Sequence, residues 1–331
     1  MNEKDREVLQ ALRDQTRQIL LEHLGGVTRV ALLDVPTYQN VGDSMIFAGE
    51  LTYLRSMGVD IVYMSDIHRF DQSELNRLLG PAGVILLQGG GNFGDIWPEF
   101  QAFRENVVES NPHHRIIHLP QSVSFDSEAN AQRTNDLLAQ HPDFTLLLRE
   151  SESIARGRRL LPDVRVEFCP DMALGWTPPE VRSSRHREVV LARRDRERAA
   201  AIAGQTTSEG AVERDWGLRL GSSMAWRFVR LPGRLARIFP VIRRQRGASA
   251  ILRWGYLRMT NLNLRSGVKL FSSASHVTTD RLHAHVLAAL MGIPHTVYDN
   301  SYGKIGAIYR EYTHLFSTAR FEPTGDGQAA G

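Results

Sequence analysis

Short aliphatic runs alternate with helix-like stretches along the first half of the chain, and this alternation constrains the fold more than any other feature. The runs lie at 30–35, 59–64, 84–87, 116–119 and 144–148, with a sixth at 164–168. Runs this short and apolar are typical of strands buried on both faces of a sheet. Strands that alternate with helices form βαβ units, so we predict a parallel sheet covered by helices.

The second half of the chain is less regular but returns to the same alternation near its end. Strands are predicted at 188–192, 276–279 and 295–299, and helices near 195–203, 282–291 and 305–312. We therefore expect an α/β protein of two doubly wound, Rossmann-like domains facing each other across a cleft. The expected boundaries are an amphipathic helix at 1–25, an N-terminal domain at 26–180, a C-terminal domain at 181–320 with a polar loop at 204–215, and a disordered tail at 321–331.

The composition is that of a cytoplasmic protein. Hydrophobic residues make up 42% and charged residues 23% of the chain, as in ordinary globular domains. Residues 1–6 lack the apolar core of a signal peptide, and no run approaches the roughly 18 apolar residues of a membrane span. Cys169 is the only cysteine, which excludes an internal disulfide and a cysteine-based zinc site.

A glycine-rich segment at 88–95 follows the third predicted strand and precedes a helix. Backbone amides of such a segment can approach an anion at a helix N-terminus. Gly89, Gly91 and Gly94 also match G-x-G-x-x-G, but they follow the third strand rather than the first, and Glu109 falls within a helix. We reject a dinucleotide site on that ground, and a structural turn remains the alternative. The predicted substrate-binding residues here are Gly89, Gly90, Gly91, Asn92 and Asp95.

A second polar segment follows the first predicted strand and contains Asn40, Gly42 and Asp43. Ligands of open α/β sheets bind at such carboxyl ends of strands. Asn40 can donate to sugar hydroxyls, and Asp43 can accept from them or act as a base. The alternative is that Asp43 or Ser44 only caps the next helix.

The most informative segment begins at Thr279, which, like Asp280, can cap the helix that follows. Arg281 and His283 are then expected in the first helical turn, where the helix dipole favours an anion. Arginine offers a planar fork for a carboxylate or phosphate, and histidine exchanges a proton near neutral pH. His285 is expected to point away and to be structural.

Two further cations, Arg149 and Lys304, also follow predicted strands. We expect both to face the cleft and to bind an anionic substrate. For Arg149 the alternative is a surface ion pair with Glu150.

A one-signed block of charge occupies the region between Trp216 and Thr279, which contains twelve basic residues and no Asp or Glu. Near 231–242 leucines and isoleucines recur at helical spacing, with arginines on another side of the same helix. Such a helix is typical of an anionic bilayer surface. A solvated helix is the alternative, and nucleic acid is disfavoured because no recognition motif is present. The predicted membrane contacts are Arg227, Arg230, Arg234, Arg237 and Arg244.

Together these segments resemble the polysaccharide pyruvyl transferase family. The matching pieces, in the family's order, are Asn40-Val41-Gly42-Asp43, Gly89-Gly90-Gly91-Asn92-Phe93-Gly94-Asp95, Pro120-Gln121-Ser122, Arg149-Glu150-Ser151, Pro170-Asp171, Thr279-Asp280-Arg281-Leu282-His283-Ala284 and Met291-Gly292-Ile293-Pro294. Each piece is short, and the ordered set makes the resemblance specific. It does not extend to the basic stretch at 217–255.

The resemblance implies a GT-B-like fold with the acceptor on the N-terminal domain and the donor on the C-terminal domain. It implies phosphoenolpyruvate as donor and a sugar of a lipid-linked oligosaccharide as acceptor, joined as a pyruvate ketal during exopolysaccharide biosynthesis. The enzyme would then act at the inner face of the cytoplasmic membrane. No metal or other cofactor and no nucleic-acid partner are expected.

The resemblance further implies that Arg281, His283 and Arg149 form the donor site. We expect the two arginines to hold the carboxylate and phosphate, and His283 to act as general acid. Asp43 is expected to orient or deprotonate the acceptor.

Two other functions stay open on this sequence. One is a GT-B glycosyltransferase that uses a sugar nucleotide, with the basic residues binding its diphosphate. The other is a non-catalytic, membrane-associated scaffold for polysaccharide assembly.

Overall fold

The computed structural model describes residues 1–180, 186–192, 212–214, 216–218, 220–299 and 303–323. The helix predicted at 195–203 lies outside these residues, as does most of the loop predicted at 204–215. The three described residues of that loop, Val212–Arg214, form a strand instead, because they pair in parallel with a neighbouring strand.

The N-terminal unit is built on a seven-stranded sheet. Its strands are β1 (Arg29–Leu33), β2 (Asp60–Ser65), β3 (Val84–Leu87), β4 (Gly90–Gly94), β5 (Ile116–Ser124), β6 (Phe144–Leu148) and β7 (Val166–Phe168). Its helices are α1 (Glu3–Leu24), α2 (Val41–Ser56), α3 (Gln72–Leu79), α4 (Pro98–Ser110), α5 (Glu128–Ala139) and α6 (Ser151–Leu160). The strand order is β2-β1-β3-β5-β6-β7, β4 pairs with β5, and these pairs are parallel.

The apolar runs form strands because both faces of this sheet are covered. In β1, Val30 and Leu32 pack in the core shared with α1 and α2, whereas Ala31 and Leu33 pack in the core under α3, α4 and α5. A strand whose alternate side chains enter two different cores has to be apolar throughout.

The C-terminal unit is built on a five-stranded parallel sheet of order β12-β11-β10-β8-β9. Its strands are β8 (Arg187–Leu191), β9 (Val212–Arg214), β10 (Ala274–Thr279), β11 (His295–Tyr298) and β12 (Ala319–Glu322). The described helices of this half are α7 (Leu220–Val229), α8 (Leu231–Ile238), α9 (Ala248–Phe271), α10 (Leu282–Leu290) and α11 (Lys304–Glu311). The α/β fold with two parallel, Rossmann-like sheets in a GT-B-like arrangement is confirmed.

The chain end differs from the sequence prediction. Phe321 and Glu322, which were assigned to the disordered tail, belong to β12 because they pair with Val297 and Tyr298 of β11. Residues 324–331 lie outside the described part of the chain.

The two units are joined by a shared core and by polar contacts. Val277 of β10 and Leu287 of α10 belong to the same core as α1 and α2. Arg310 of α11 reaches Glu152 of α6, with 2.5 Å between Nη2 and Oε1. In α9, Asn263 donates through Nδ2 to the carbonyl oxygen of Tyr38 at 3.0 Å and to Oγ of Ser44 at 2.9 Å.

Both sheets reverse their strand order near the contact between the units. In the first sheet the reversal lies between β1 and β3, and in the second between β8 and β10. Loops leave the carboxyl ends of neighbouring strands in opposite directions at such a point and leave a crevice between them. The segments after β1, β3 and β10 therefore meet in one place.

Within the described residues, no helix is long and apolar enough to cross a bilayer.

A buried ion pair fixes the segment that leaves β1. Asp34 has a left-handed backbone, with φ of 66°, and accepts from Nε of Arg104 at 2.8 Å. The same guanidinium donates to Oδ1 of Asn92 at 2.7 Å, so it also fixes the segment that leaves β3. Burial raises the pKa of Asp34 to about 6, although Arg104 opposes this shift.

We predict that Arg104→Met lowers the free energy of unfolding by about 3–5 kcal/mol, because Asp34 would stay buried without its partner. Urea denaturation measures this change. The double variant Arg104→Met/Asp34→Asn should recover much of the loss, since asparagine tolerates the left-handed backbone and carries no charge. Equal losses in the single and double variants would contradict this account of the pair.

Candidate active site

A cavity of about 550 Å³ opens where the carboxyl ends of the two sheets meet. The N-terminal unit contributes segments that follow β1, β3 and β6, and the C-terminal unit contributes the starts of α10 and α11. The predicted site residues that line the cavity are Asn40, Gly42, Asp43, Gly91, Asn92, Arg149, Arg281, His283 and Lys304.

Asn40 organises the wall that follows β1. It is the N-cap of α2: its Oδ1 accepts from the amide of Gly42 at 2.8 Å, and its Nδ2 donates to Oδ2 of Asp43 at 2.6 Å. The cap is thus Asn40, and neither Asp43 nor Ser44 serves in that role. Burial raises the pKa of Asp43, and the charges of His283 and Arg149 oppose this rise.

His283 lies in the first turn of α10 and packs directly against α2. A Cβ atom built on Gly42 would lie 2.7 Å from Nδ1 and 2.9 Å from Cβ of His283. No side chain fits between the two helices there, so Gly42 is required by the position of the histidine ring.

Arg281 lies one position earlier than the sequence predicted. It is the N-cap residue of α10, with an extended backbone, rather than a member of the first turn. Thr279 does not cap the helix; it fixes the turn before it, because its Oγ1 accepts from the Arg281 amide at 3.1 Å and donates to the carbonyl of Leu191 at 2.7 Å. Arg281 still lines the cavity.

Asp171 is the site residue that sequence reasoning missed. It follows β7, is fully buried, and its Oδ2 lies 2.7 Å from Nη1 of Arg149 and 3.3 Å from Nε2 of His283. The available signal was the strand-end pair Pro170-Asp171, but nothing in the sequence indicated which side chains it meets.

The charges of this cluster are strongly coupled. Burial alone would raise the pKa of Asp171, but the neighbouring Arg149 and His283 hold it well below its usual range. Asp171 therefore carries a negative charge beside the histidine at any ordinary pH.

Arg149 is buried rather than part of a surface ion pair. Its Nε donates to Oγ of Ser122 at 2.9 Å and lies 3.6 Å from Oε2 of Glu150, which is also buried. A Cβ atom on Gly91 would lie 3.0 Å from Nη2 of Arg149, so this glycine lets the guanidinium reach the cavity.

The glycine-rich segment does not form the anion cradle that was expected. It forms strand β4, and the next helix begins only at Pro98. Three of its amides donate to side chains of the fold: Gly89 to Glu50 at 2.9 Å, Asn92 to Gln121 at 3.2 Å, and Gly94 to Gln101 at 3.2 Å.

The glycines of β4 serve instead to bring two strands together. A Cβ atom on Gly94 would lie 1.7 Å from the carbonyl oxygen of Ser124, and one on Gly89 would lie 2.6 Å from that of Pro120. Gly90 has φ of 151°, a backbone that favours glycine. Gly89 and Gly90 are not among the cavity residues, so the structural alternative describes them better.

Asp95 also has a structural role. Its carboxylate accepts from the amides of Asp126 and Ser127 at 2.8 and 3.0 Å, and from Nδ2 of Asn130 at 3.0 Å. These bonds secure the start of α5, and Asp95 does not line the cavity. These contacts favour a structural role for Asp95, and its assignment to substrate binding stays a prediction.

Lys304 closes the cavity from the C-terminal unit. It begins α11, and its Nζ donates to the carbonyl oxygen of Gly91 at 3.1 Å. The contact spans the two units, so Lys304 adds positive charge and also holds the mouth of the cavity together.

Four aromatic side chains, which the sequence analysis did not single out for this site, also line the cavity. They are Tyr38, Trp97, Phe100 and Trp216. Tyr38 and Phe100 contact each other edge to face at 6.4 Å, and Trp97 is 52% exposed. Flat apolar faces beside polar groups suit the ring of a sugar.

His285 was expected to be structural, and its contacts agree with that. It is fully buried in α10, with Nδ1 2.7 Å from Nε2 of His295 and Nε2 2.7 Å from Oγ1 of Thr313.

The model of the family described as polysaccharide pyruvyl transferase matches residues 40–302 of this chain. The matched range includes Asn40, Arg149, Asp171, Arg281 and His283. The chain belongs to the polysaccharide pyruvyl transferase family.

Curated relatives agree with this assignment. Pyruvyl transferase 1 of Schizosaccharomyces pombe is 31% identical over 88% of this chain and 71% of its own length. EpsO of Bacillus subtilis, which carries the name of a pyruvyl transferase, is 29% identical over 86% of this chain and 85% of its own length. The protein is thus an enzyme of pyruvyl transfer in polysaccharide biosynthesis.

A solved structure shares the fold. The crystal structure of KP1_0663 from Klebsiella pneumoniae, a protein of uncharacterised function, matches with a TM-score of 0.60 over 94% of this chain and 98% of its own. The sequences are 17% identical, so the likeness concerns the fold alone.

We predict that Gly42→Ala in this pyruvyl transferase lowers its turnover by roughly ten- to a hundredfold, because the new methyl group displaces the His283 ring. Alanine is the better helix former, so the helix itself is not weakened by this change. The rate of pyruvyl transfer and the melting temperature should be measured together. Gly221→Ala is the matched control, since a Cβ atom at this helical glycine meets only open space; equal rates in both variants would contradict the prediction.

Proposed function

We propose that this pyruvyl transferase moves the pyruvyl group of phosphoenolpyruvate onto two hydroxyls of one sugar and forms a pyruvate ketal. The observation that carries the proposal is the convergence of four basic side chains on one cavity. These are Arg149, Arg281, His283 and Lys304.

The charges at this cavity suit the donor. Phosphoenolpyruvate carries a carboxylate and a phosphate, and arginine binds both groups through paired N–H donors. Arg149 is partly neutralised by Asp171 and Glu150. We infer that Arg149 and Arg281 hold the carboxylate and the phosphate, and that Lys304 adds a third cation to the same cavity.

The chemistry requires one proton donor at carbon. A proton adds to the methylene carbon, which becomes the methyl group, and the oxygen of the first sugar hydroxyl bonds to the adjacent carbon while its proton passes to a base. The bond from that carbon to the phosphate oxygen then breaks, and phosphate leaves with the electron pair. The second hydroxyl bonds to the same carbon, its proton is released, and the ketal is complete.

We assign the proton donor to His283. Its side chain is 13% exposed at the cavity, and the Asp171 carboxylate, with Oδ2 3.3 Å from Nε2, orients the imidazole ring. Because Asp171 also contacts Arg149, one carboxylate orients both the acid and the donor-binding arginine.

Asp43 is the candidate base for the acceptor. Its carboxylate accepts from Nδ2 of Asn40 at 2.6 Å and lines the cavity at the start of α2. Burial raises the pKa of Asp43, which brings a carboxylate closer to the range useful for accepting a hydroxyl proton. The aromatic side of the cavity, with Trp97 and Trp216, would hold the sugar ring.

We further propose that the acceptor is a sugar of a lipid-linked oligosaccharide, and that the enzyme works at the inner face of the cytoplasmic membrane. The scheme uses no metal or other cofactor, since cationic side chains supply the charge that the leaving phosphate requires.

His283→Ala is expected to lower turnover by roughly two to four orders of magnitude while binding of phosphoenolpyruvate persists. Phosphate release from phosphoenolpyruvate, with a membrane extract containing lipid-linked oligosaccharides, measures the rate. His113→Ala, at an exposed histidine remote from the cavity, is the control. Near wild-type turnover in His283→Ala would contradict the role of His283 as general acid.

Arg281→Ala is expected to weaken binding of phosphoenolpyruvate by roughly ten- to a hundredfold, because a charge-assisted hydrogen-bond donor is lost. Calorimetric titration of the purified protein measures the affinity, and the exposed Arg158→Ala serves as control. Titration with nucleotide sugars completes the test: saturable binding of one of them in place of phosphoenolpyruvate would favour a glycosyltransferase.

A further inference from the structure

A single face of the molecule carries most of its exposed large apolar side chains. Ten of the fourteen such side chains among the described residues lie between 224 and 257. They belong to α7, α8, the 3-10 helix at Pro240–Arg244 and the first half of α9, and these elements contact one another. We call this surface, residues 220–257, the arginine–apolar face.

Helix α8 is turned with its large apolar side chains outward. Ala236 is 1% exposed, and Gly233 also faces inward, where a Cβ atom would lie 2.8 Å from Nε of Arg69. Leu231, Leu235 and Ile238, by contrast, are 48%, 43% and 66% exposed. An ordinary surface helix buries its apolar side chains against the core. In α8 these side chains are exposed to solvent, which is typical of a surface that binds a partner.

The neighbouring helices continue the same surface. In α7, Phe228 is 72% exposed while Trp226 is buried, and in α9, Trp254 is 42% exposed while Tyr256 is buried. In each helix one large side chain anchors the element and another points to solvent.

The outward direction is fixed by polar contacts on the inner side. Arg69 donates through Nε to the carbonyl of Gly233 at 2.6 Å, and Arg253 donates through Nη1 to the carbonyl of Ile61 at 2.9 Å. Arg244, a predicted membrane contact, pairs with Asp71, with 2.9 Å between Nε and Oδ2, and its side chain is 62% exposed. The arginine–apolar face is therefore an ordered surface, and its inner side packs against the N-terminal unit.

The positive charge of the arginine–apolar face indicates which kind of partner can bind there. Exposed arginines surround the apolar side chains, among them Arg227, Arg234 and Arg237, and the sequence has no acidic residue from 217 to 278. A second copy docked through the same face would bring arginines against arginines, which is repulsive. A nucleic acid matches the charge but offers no apolar phase for Phe228 and Ile238. An anionic bilayer matches both properties.

The face also lies close to the cavity. Helix α9 runs from Trp254 on the face to Asn263, which bonds the backbone of Tyr38 at the cavity rim. Nine residues of α-helix span about 14 Å. A sugar attached to a lipid headgroup can bridge such a distance without leaving the bilayer, a step that rests on the proposed acceptor.

We propose that the arginine–apolar face docks this enzyme on an anionic lipid surface, with Phe228, Ile238 and Phe239 entering the headgroup region. The docked enzyme would then present its cavity to lipid-anchored sugars about 14 Å away.

Flotation of the purified full-length protein with vesicles tests the docking. The wild-type protein should float with phosphatidylcholine vesicles that contain a minority of phosphatidylglycerol, and much less with phosphatidylcholine alone. Both Phe228→Ser/Ile238→Ser/Phe239→Ser and Arg227→Glu/Arg234→Glu/Arg237→Glu should reduce the floated fraction, on the order of tenfold or more. The matched control is Arg17→Glu/Arg158→Glu/Arg159→Glu, which makes the same charge change at exposed arginines elsewhere.

Three results would overturn the docking proposal. The first is that the apolar and arginine variants float as well as the control variant, and the second is that the wild-type protein floats equally well with neutral vesicles. The third is a dimer in sedimentation that the apolar variant converts to a monomer. Calorimetric binding of phosphoenolpyruvate is measured on the same samples. Flotation without such binding would overturn the donor assignment and leave the docking intact, whereas binding without flotation would do the reverse.

Discussion

One buried carboxylate holds the active site together. Asp171 follows β7 in the N-terminal unit and contacts Arg149 from the same unit and His283 from the other. A carboxylate removed from water is costly unless it is paired and hydrogen-bonded, and here both partners carry or accept a positive charge. The contact therefore adds to the shared core in fixing the position of α10 against the first sheet.

Close packing around this contact explains the glycines nearest to it. The His283 ring occupies the space that a side chain on Gly42 would need, and the Arg149 guanidinium lies against Gly91. Sequence reasoning assigned both glycines to substrate binding. Their position is compatible with that, but the first requirement that they satisfy is the approach of two functional side chains.

Most of the fold could be predicted from the sequence because its cause is local. A strand buried on both faces must be apolar along its whole length, and a polar segment after it must lie at the carboxyl edge; this leads directly to Asn40, Arg149 and His283. The role of the glycine-rich segment could not be found in this way. Its amides pair with Glu50 and Gln121, and the choice of these partners is made by tertiary packing that no local pattern records. Asp171 was missed for the same reason.

The predicted acceptor domain and the predicted donor domain both contribute side chains to one cavity. Arg149 of the first unit lies within the cluster that contains His283. Trp216, from the second half of the chain, lines the same cavity as Trp97 of the first. Lys304 bonds the carbonyl of Gly91 across the same gap. Because both units supply the lining, any change in the angle between them would alter the whole cavity at once.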